Sequence, residues 1–215
     1  MSEERRETGT DVGDRASRPD AALGARLVLA SASPRRREIL ATLGLAFDVV
    51  ASAAAEDARE GEAPPALAER LATEKALEVS RRVGDRFVLG ADTVVVVDGR
   101  VLGKPRDDDE ARAMLRTLSD RWHEVITGVA LARNGAVLEA LSVTTRVHLV
   151  ALSEERIARY VATGEGRDKA GGYAVQGIAS GFCDRLDGSY GNVVGLPAAE
   201  TLALLERHGV IGAWP

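Results

Sequence analysis

Cysteine occurs once in the 215 residues, as Cys183. A single thiol builds neither an internal disulfide framework nor a multi-cysteine metal site, and it suits a reducing compartment. The three histidines are widely spaced, which argues against a histidine-based zinc site. Aromatic residues make up only 4%, so a core must rest on Ala, Val and Leu. No apolar run approaches the ~18 residues that span a bilayer. The charged N-terminus also lacks the apolar centre of a secretory signal. The expected location is therefore cytoplasmic, with no membrane partner. A net charge of −5 argues against general nucleic-acid binding. Several nucleotide and hydrolase motifs are missing as well. Gly103-Lys104 is followed by Pro105 rather than Ser or Thr, so there is no P-loop. No G-x-G-x-x-G follows a strand, and no G-x-S-x-G elbow occurs. Ser189 stands where a cysteine phosphatase loop would carry Arg after Cys183.

The length and a hydrophobic content of 45% fit one ordinary globular domain with an appendage. The first 25 residues mix both charge signs with Gly, Ser, Thr and Pro and show no apolar period. They read as a flexible tail ahead of a domain over residues 26–215.

Within that domain, Phe87–Val97 is strand-forming apolar sequence broken once, at Gly90-Ala-Asp-Thr93. A carboxylate inside such a run is costly to bury unless it meets a cation, so Asp92 is the first candidate for chemistry, placed at a strand end. Gly90 and Ala91 leave room for something to approach the backbone closely. Asp98-Gly99 signals a hairpin whose return delivers Lys104 between Gly103 and Pro105. Upstream, Leu27–Ala30 reads as a strand feeding a helix capped by Ser33 and opened by Pro34. That junction is an anion site: free backbone N–H groups, the Ser31 and Ser33 hydroxyls, and Arg35 and Arg36. A second strand is expected over Phe47–Ala51, then a loop containing Glu56. The helix after Pro64-Pro65 places Lys75 on the same stripe as Leu71 and Val79, where it either snorkels to water or meets a buried anion.

Asp107–Glu110 reads as an acidic helix cap. Arg133-Asn-Gly135 joins two long strands, Trp122–Ala132 and Ala136–Val150. A helix capped by Ser153 runs to Ala162. The glycine-dense stretch from Asp168 to Gly181 carries Lys169, Tyr173 and Gln176, Arg185–Asn192 reads as a turn, and a last helix starts at Pro197. Many cations beside one or two carboxylates is the composition of a polyphosphate site holding a hard divalent ion.

The stretches LVLASASPRRREIL, LGADTVVVVDGRVLGKP, S-x-R-x-H-x-V-x-T-G-V from Ser119 to Val129, DKAGGYAVQG and VVGLP resemble the Maf family in the same order, over about Arg26 to Glu206. The resemblance implies an α/β fold, two-lobed around an elongated mixed β-sheet with flanking helices, like inosine triphosphatases, and often a homodimer. It implies hydrolysis of a nucleoside triphosphate to the monophosphate and pyrophosphate with Mg²⁺ or Mn²⁺. By position, Asp92 matches the catalytic carboxylate. Ser31, Arg35, Arg36, Lys75, Lys104 and Lys169 match residues lining the phosphate site. Asp92 and Glu56 are the metal-ligand candidates, although Ser52-Ala-Ala-Ala-Glu56 lacks the family's second acidic position. Arg35, Thr93 and Gln176 look like the subgroup acting on dTTP and UTP; Trp, Gln and Glu would mark the 7-methyl-GTP subgroup. Modified pyrimidine nucleotides are further candidates. A non-enzymatic nucleotide-sensing regulator of cell division and a general phosphatase are the rival readings.

Overall fold

A computed structural model of the chain describes residues 27–214, so the tail expected at residues 1–25 lies outside the described residues. Among those residues seven strands form one mixed sheet in the order β2-β1-β3-β5-β6-β7, with β4 on β3. In chain order the elements are β1 (Leu27–Leu29), α1 (Pro34–Thr42), β2 (Asp48–Val49), α2 (Pro64–Ser80), β3 (Phe87–Val97), β4 (Arg100–Leu102) and α3 (Asp108–Leu118). They continue as β5 (Arg121–Arg133), β6 (Ala136–Leu149), α4 (Glu154–Ala162), β7 (Cys183–Asp187), α5 (Tyr190–Val194) and α6 (Ala198–Arg207), with 3₁₀ turns at Ala170–Gly172 and Ile178–Phe182.

β3 is the strand on which the rest is arranged. The expected break at Gly90–Thr93 does not occur: β3 is continuous for 11 residues. Asp92 lies in its middle, opposite Gly128 of β5, and not at a strand end. β-branched neighbours keep the backbone extended through the polar residue. β5 occupies one edge of β3 from Val88 to Val96. The other edge is shared: β1 pairs in parallel with Phe87–Leu89, and β4 pairs antiparallel with Val95–Val97. Between them a stretch of edge is left without a strand, and Asp92 and Thr93 sit on it.

The two tight turns fold as their sequences dictate. Asp98-Gly99 and Asn134-Gly135 both take positive φ, the geometry that matches strand twist in a two-residue hairpin.

Strand alternation sends neighbouring residues of β3 to opposite faces. On one face Leu89 and Ala91 join Leu27, Leu40, Val129 and Leu204 in one apolar cluster. On the same face Val95 and Val97 join Leu115, Ile157, Tyr160 and Tyr173 in another. On the opposite face lies α2, and here Gly90 finds its purpose. A Cβ on Gly90 would stand 2.2 Å from the Ala72 carbonyl oxygen, and one on Gly128 would stand 2.1 Å from that of Ala68. The close approach foreseen at Gly90 is therefore that of a helix backbone. The row Ala68, Ala72, Ala76 on α2 is the small-residue counterpart that permits it.

Two further expectations change. The second strand shrinks from Phe47–Ala51 to Asp48–Val49, because Phe47 turns in to pack against the Leu27 and Leu40 cluster. The turn expected at Arg185–Asn192 is a strand followed by a helix: β7 pairs with Arg146–Leu149 of β6, and α5 begins at Tyr190. The charges that disguised β7 suit a strand at the sheet edge. No helix among the described residues is long and apolar enough to cross a membrane.

Candidate active site

A cavity of about 730 Å³ wraps the open stretch of β3 edge. Its lining includes every residue singled out from the sequence: Ser31, Ser33, Arg35, Arg36, Glu56, Lys75, Asp92, Thr93, Lys104, Lys169 and Gln176. The chain has only three lysines, and all three line this cavity. That scarcity was a signal legible in the sequence.

At the centre is a carboxylate–ammonium–carboxylate triplet. The close packing of α2 on β3 carries Lys75 inward, so it does not snorkel to water. Its Nζ donates to Asp92 Oδ1 at 2.6 Å and to Glu56 Oε1 at 2.5 Å. Lys75 and Asp92 are 7% and 8% exposed, so this is a buried charge pair of the kind a strand tolerates only when matched. Lys104 reaches Glu56 Oε2 at 3.6 Å from the β4 side. Partial burial works against the charge on Glu56. Lys75 and then Lys104 more than offset it, and the Glu56 carboxyl lies below its ordinary range.

The helix junction behaves as its sequence suggests. The Ser33 hydroxyl accepts from the Arg36 N–H at 3.5 Å and caps α1. Ser31 Oγ accepts from the Ser33 N–H at 3.2 Å and from Arg36 Nη1 at 3.0 Å, which leaves its proton to be donated elsewhere. Arg36 is more deeply held than a surface phosphate ligand. Its Nε donates to the Gly195 carbonyl at 2.8 Å and its Nη2 to Thr93 Oγ1 at 3.0 Å. Burial pulls its pKa down, and the nearby Asp92 charge acts in the other direction.

Behind Arg36 runs a polar chain not expected from the sequence. Thr93 Oγ1 and Thr127 Oγ1, paired across β3 and β5, are 2.9 Å apart. Thr127 Oγ1 donates to the Asn192 carbonyl at 3.0 Å. Because a carbonyl can only accept, the Thr127 proton is committed there, and Thr93 must donate to Thr127. The Thr93 hydroxyl thus accepts from Arg36 and donates inward. Asn192 Nδ2 donates in turn to the Val125 carbonyl and to Thr145 Oγ1, both at 2.9 Å. The chain lies on the face where the two apolar clusters meet.

The glycine-dense stretch forms the opposite rim. The Glu165 carboxylate accepts from the Ile178 N–H at 2.7 Å, the Ala179 N–H at 3.2 Å and the Tyr160 hydroxyl at 3.0 Å. A Cβ on Gly177 would stand 2.1 Å from Glu165 Oε2, so the turn that presents Gln176 closes directly on this carboxylate. Lys169 Nζ donates to the Glu165 carbonyl at 3.0 Å and pairs with Asp168. Arg35 Nη1 lies 3.5 Å from Asp168 Oδ2. Sequence reading passed over Asp168, Glu165, Thr127 and Asn192.

Among the described residues no group of three or more His, Cys, Asp and Glu side chains is placed to hold a metal ion by itself. Asp92 and Glu56 each give one oxygen to Lys75 Nζ and keep a second oxygen apart from it. Two carboxylates completed by phosphate oxygens and water are a donor set that suits Mg²⁺ or Mn²⁺. The residues present fit such an ion.

Residues 26–208 match the family described as Maf, Maf-like protein. A protein of Hahella chejuensis named dTTP/UTP pyrophosphatase is 50% identical over 191 residues, covering 86% of this chain and 93% of that one. One of Myxococcus xanthus with the same name is 52% identical over 188 residues, covering 87% and 95%. Among solved structures, a HAM1 protein from Coxiella burnetii matches with a TM-score of 0.45 at 18% identity, covering 85% of this chain and 98% of that one.

Proposed function

The chain belongs to the Maf family, and from that premise we propose that it is a nucleoside triphosphate pyrophosphatase acting on dTTP and UTP. In this reading residues 26–215 make up the catalytic domain, the products are the nucleoside monophosphate and pyrophosphate, and the setting is cytoplasmic. The observation that carries it is the meeting, in one cavity, of a matched buried carboxylate with four flanking cations, Arg35, Arg36, Lys104 and Lys169.

The chemistry follows from the placement. Asp92 takes the proton of a water that attacks the α-phosphorus in line, forming the new P–O bond. The bond to the bridging α–β oxygen breaks, and pyrophosphate leaves with the electron pair. Arg35, Arg36, Lys104 and Lys169 neutralise the charge gathering on that leaving group. Ser31 donates its free hydroxyl proton to a phosphate oxygen. Lys75 fixes the direction of the Asp92 carboxylate and lowers the cost of keeping it ionised in the sheet. A divalent cation held by Asp92 and Glu56 would supply Lewis-acid charge to the phosphates. Gln176, exposed on the rim, reads the edge of a pyrimidine by its amide, and Arg35 bounds the same side.

The test is a panel of canonical and modified nucleoside triphosphates with products separated by ion exchange. Monophosphate and pyrophosphate from dTTP and UTP are expected. Release of orthophosphate would make the protein a general phosphatase, and tight binding without turnover would make it a sensor. Asp92→Asn should lower kcat by roughly 10²–10⁴-fold, the range of a lost general base, while nucleotide binding persists.

A further inference from the structure

Asp168 lines the cavity but has no part in the chemistry above. Its carboxylate pairs at once with Lys169 and with Arg35, two of the four cations assigned to the phosphates. Partial burial opposes its charge, yet Lys169 and then Arg35 hold its carboxyl below the ordinary range, so it is an anion at neutral pH. Lys169 is anchored by its bond to the Glu165 carbonyl, and Arg35 belongs to the first turn of α1. Neither cation is free to leave. The Asp168 side chain, 67% exposed, has solvent to turn into. The neighbouring Arg167 is engaged with Asp108 at 3.1 Å and does not compensate Asp168 from behind.

This differs from the Lys75 triplet. There the anions are the reaction's own carboxylates, one of them fixed in the middle of a strand. At Asp168 the anion occupies the place where the substrate's charge must go. We propose that Asp168 is the cavity's resident counter-ion, displaced from Arg35 and Lys169 by the incoming phosphate chain and returning to them as pyrophosphate departs. Resting on the phosphate-site reading above, this makes Asp168 a residue that sets affinity for the phosphate chain and the release of product. It weakens binding of every phosphate ligand by competition, and a triphosphate outbids it more readily than a shorter anion carrying fewer charges.

The sign of the effect is the test, since removing a residue that merely supports the site can only weaken binding. Asp168→Asn keeps the shape and removes the charge. Calorimetric titration of the full chain with inorganic pyrophosphate in Mg²⁺ buffer should give a Kd about three- to tenfold lower than wild type, the range expected for losing competing exposed pairs. Product inhibition by pyrophosphate should tighten in parallel, and the KM for dTTP should fall. Asp168→Glu, which restores the charge, should return toward wild type. Asp168→Ser provides the same neutralisation if the amide variant melts early. Neutral variants that bind pyrophosphate no tighter, or more weakly, would overturn the counter-ion role and leave the phosphate site standing. A wild-type chain that does not bind pyrophosphate would remove both.

Discussion

Thr127→Val is the sharpest single probe of how the site is held. The two side chains are nearly the same size, so the change deletes one hydroxyl from a position with 0% exposure and leaves packing in place. The hydroxyl makes two bonds, at 2.9 Å to Thr93 and 3.0 Å to the Asn192 carbonyl. After the change the Thr93 proton loses its acceptor, while the Asn192 carbonyl keeps the Gly195 N–H at 3.0 Å. At ~1–3 kcal/mol for one such group left unpaired, the loss is about 1–3 kcal/mol. For a domain of this length that lowers Tm by roughly 2–12 °C. A second effect is separable. With its inward acceptor gone, Thr93 turns its hydroxyl and no longer holds Arg36 Nη2. A loosened guanidinium should reduce kcat/KM by about tenfold, equivalent to ~1.4 kcal/mol. Thr127→Ser, which keeps the hydroxyl, should recover most of the activity. The assays are urea unfolding and pyrophosphate release from dTTP and UTP. A valine variant as stable and as active as wild type would show that the polar chain does not position Arg36.

Other outcomes follow from the same structure. Gln176→Glu should change the order of preferred bases with Tm unmoved, since the side chain is exposed; an unaltered substrate profile would free Gln176 of that role. His123 is buried against the Tyr173 hydroxyl at 2.7 Å, and burial depresses its pKa from 6.5 to about 4. The unfolded chain therefore binds a proton that the folded chain refuses. Stability is full above pH 6.5 and lost as pH falls toward 4, by about 3 kcal/mol. His123→Gln should flatten that part of the pH–stability curve measured by urea unfolding. Gly90→Ala should cost about 3 kcal/mol, because the new Cβ meets the α2 backbone and overpacks the contact. It should also cut turnover by moving Lys75 away from Asp92, and a variant with wild-type stability would contradict the close contact.

Much of this was visible in the chain itself, and the limits have a physical pattern. Features that announce themselves locally were readable: Asn134-Gly135 as a turn, Ser33-Pro34 and Ser153 as helix starts. So were the two residues that broke their own pattern, Asp92 in an apolar strand and Lys75 on an apolar stripe. Each anomaly turned out to be the other's explanation. What stayed hidden depends on partners remote in sequence. Arg36 bonds to the carbonyl of Gly195, and Thr127 to that of Asn192, and neither residue type advertises a main-chain acceptor. Asp168 was passed over beside the lysine it pairs with. β7 was hidden by charges that only its position at the sheet edge makes sense of. Gly90 was correctly read as a place of close approach, but what approaches it, the α2 backbone, could not be named from the chain.

The continuity of β3 limits how this enzyme can move. The strand runs under both ends of the cavity and is bonded along one side to β5, so spreading the two halves apart would tear a ladder of hydrogen bonds. A clamshell motion is too costly to serve each turnover. Of the cavity wall, the Ser52–Ala63 loop that carries Glu56 lies outside that ladder, whereas the Glu165–Gly177 rim is pinned by the bonds of Glu165 and Lys169. Asp92, seated in the middle of that ladder opposite Gly128, has its carboxylate aimed by the stiffest part of the sheet.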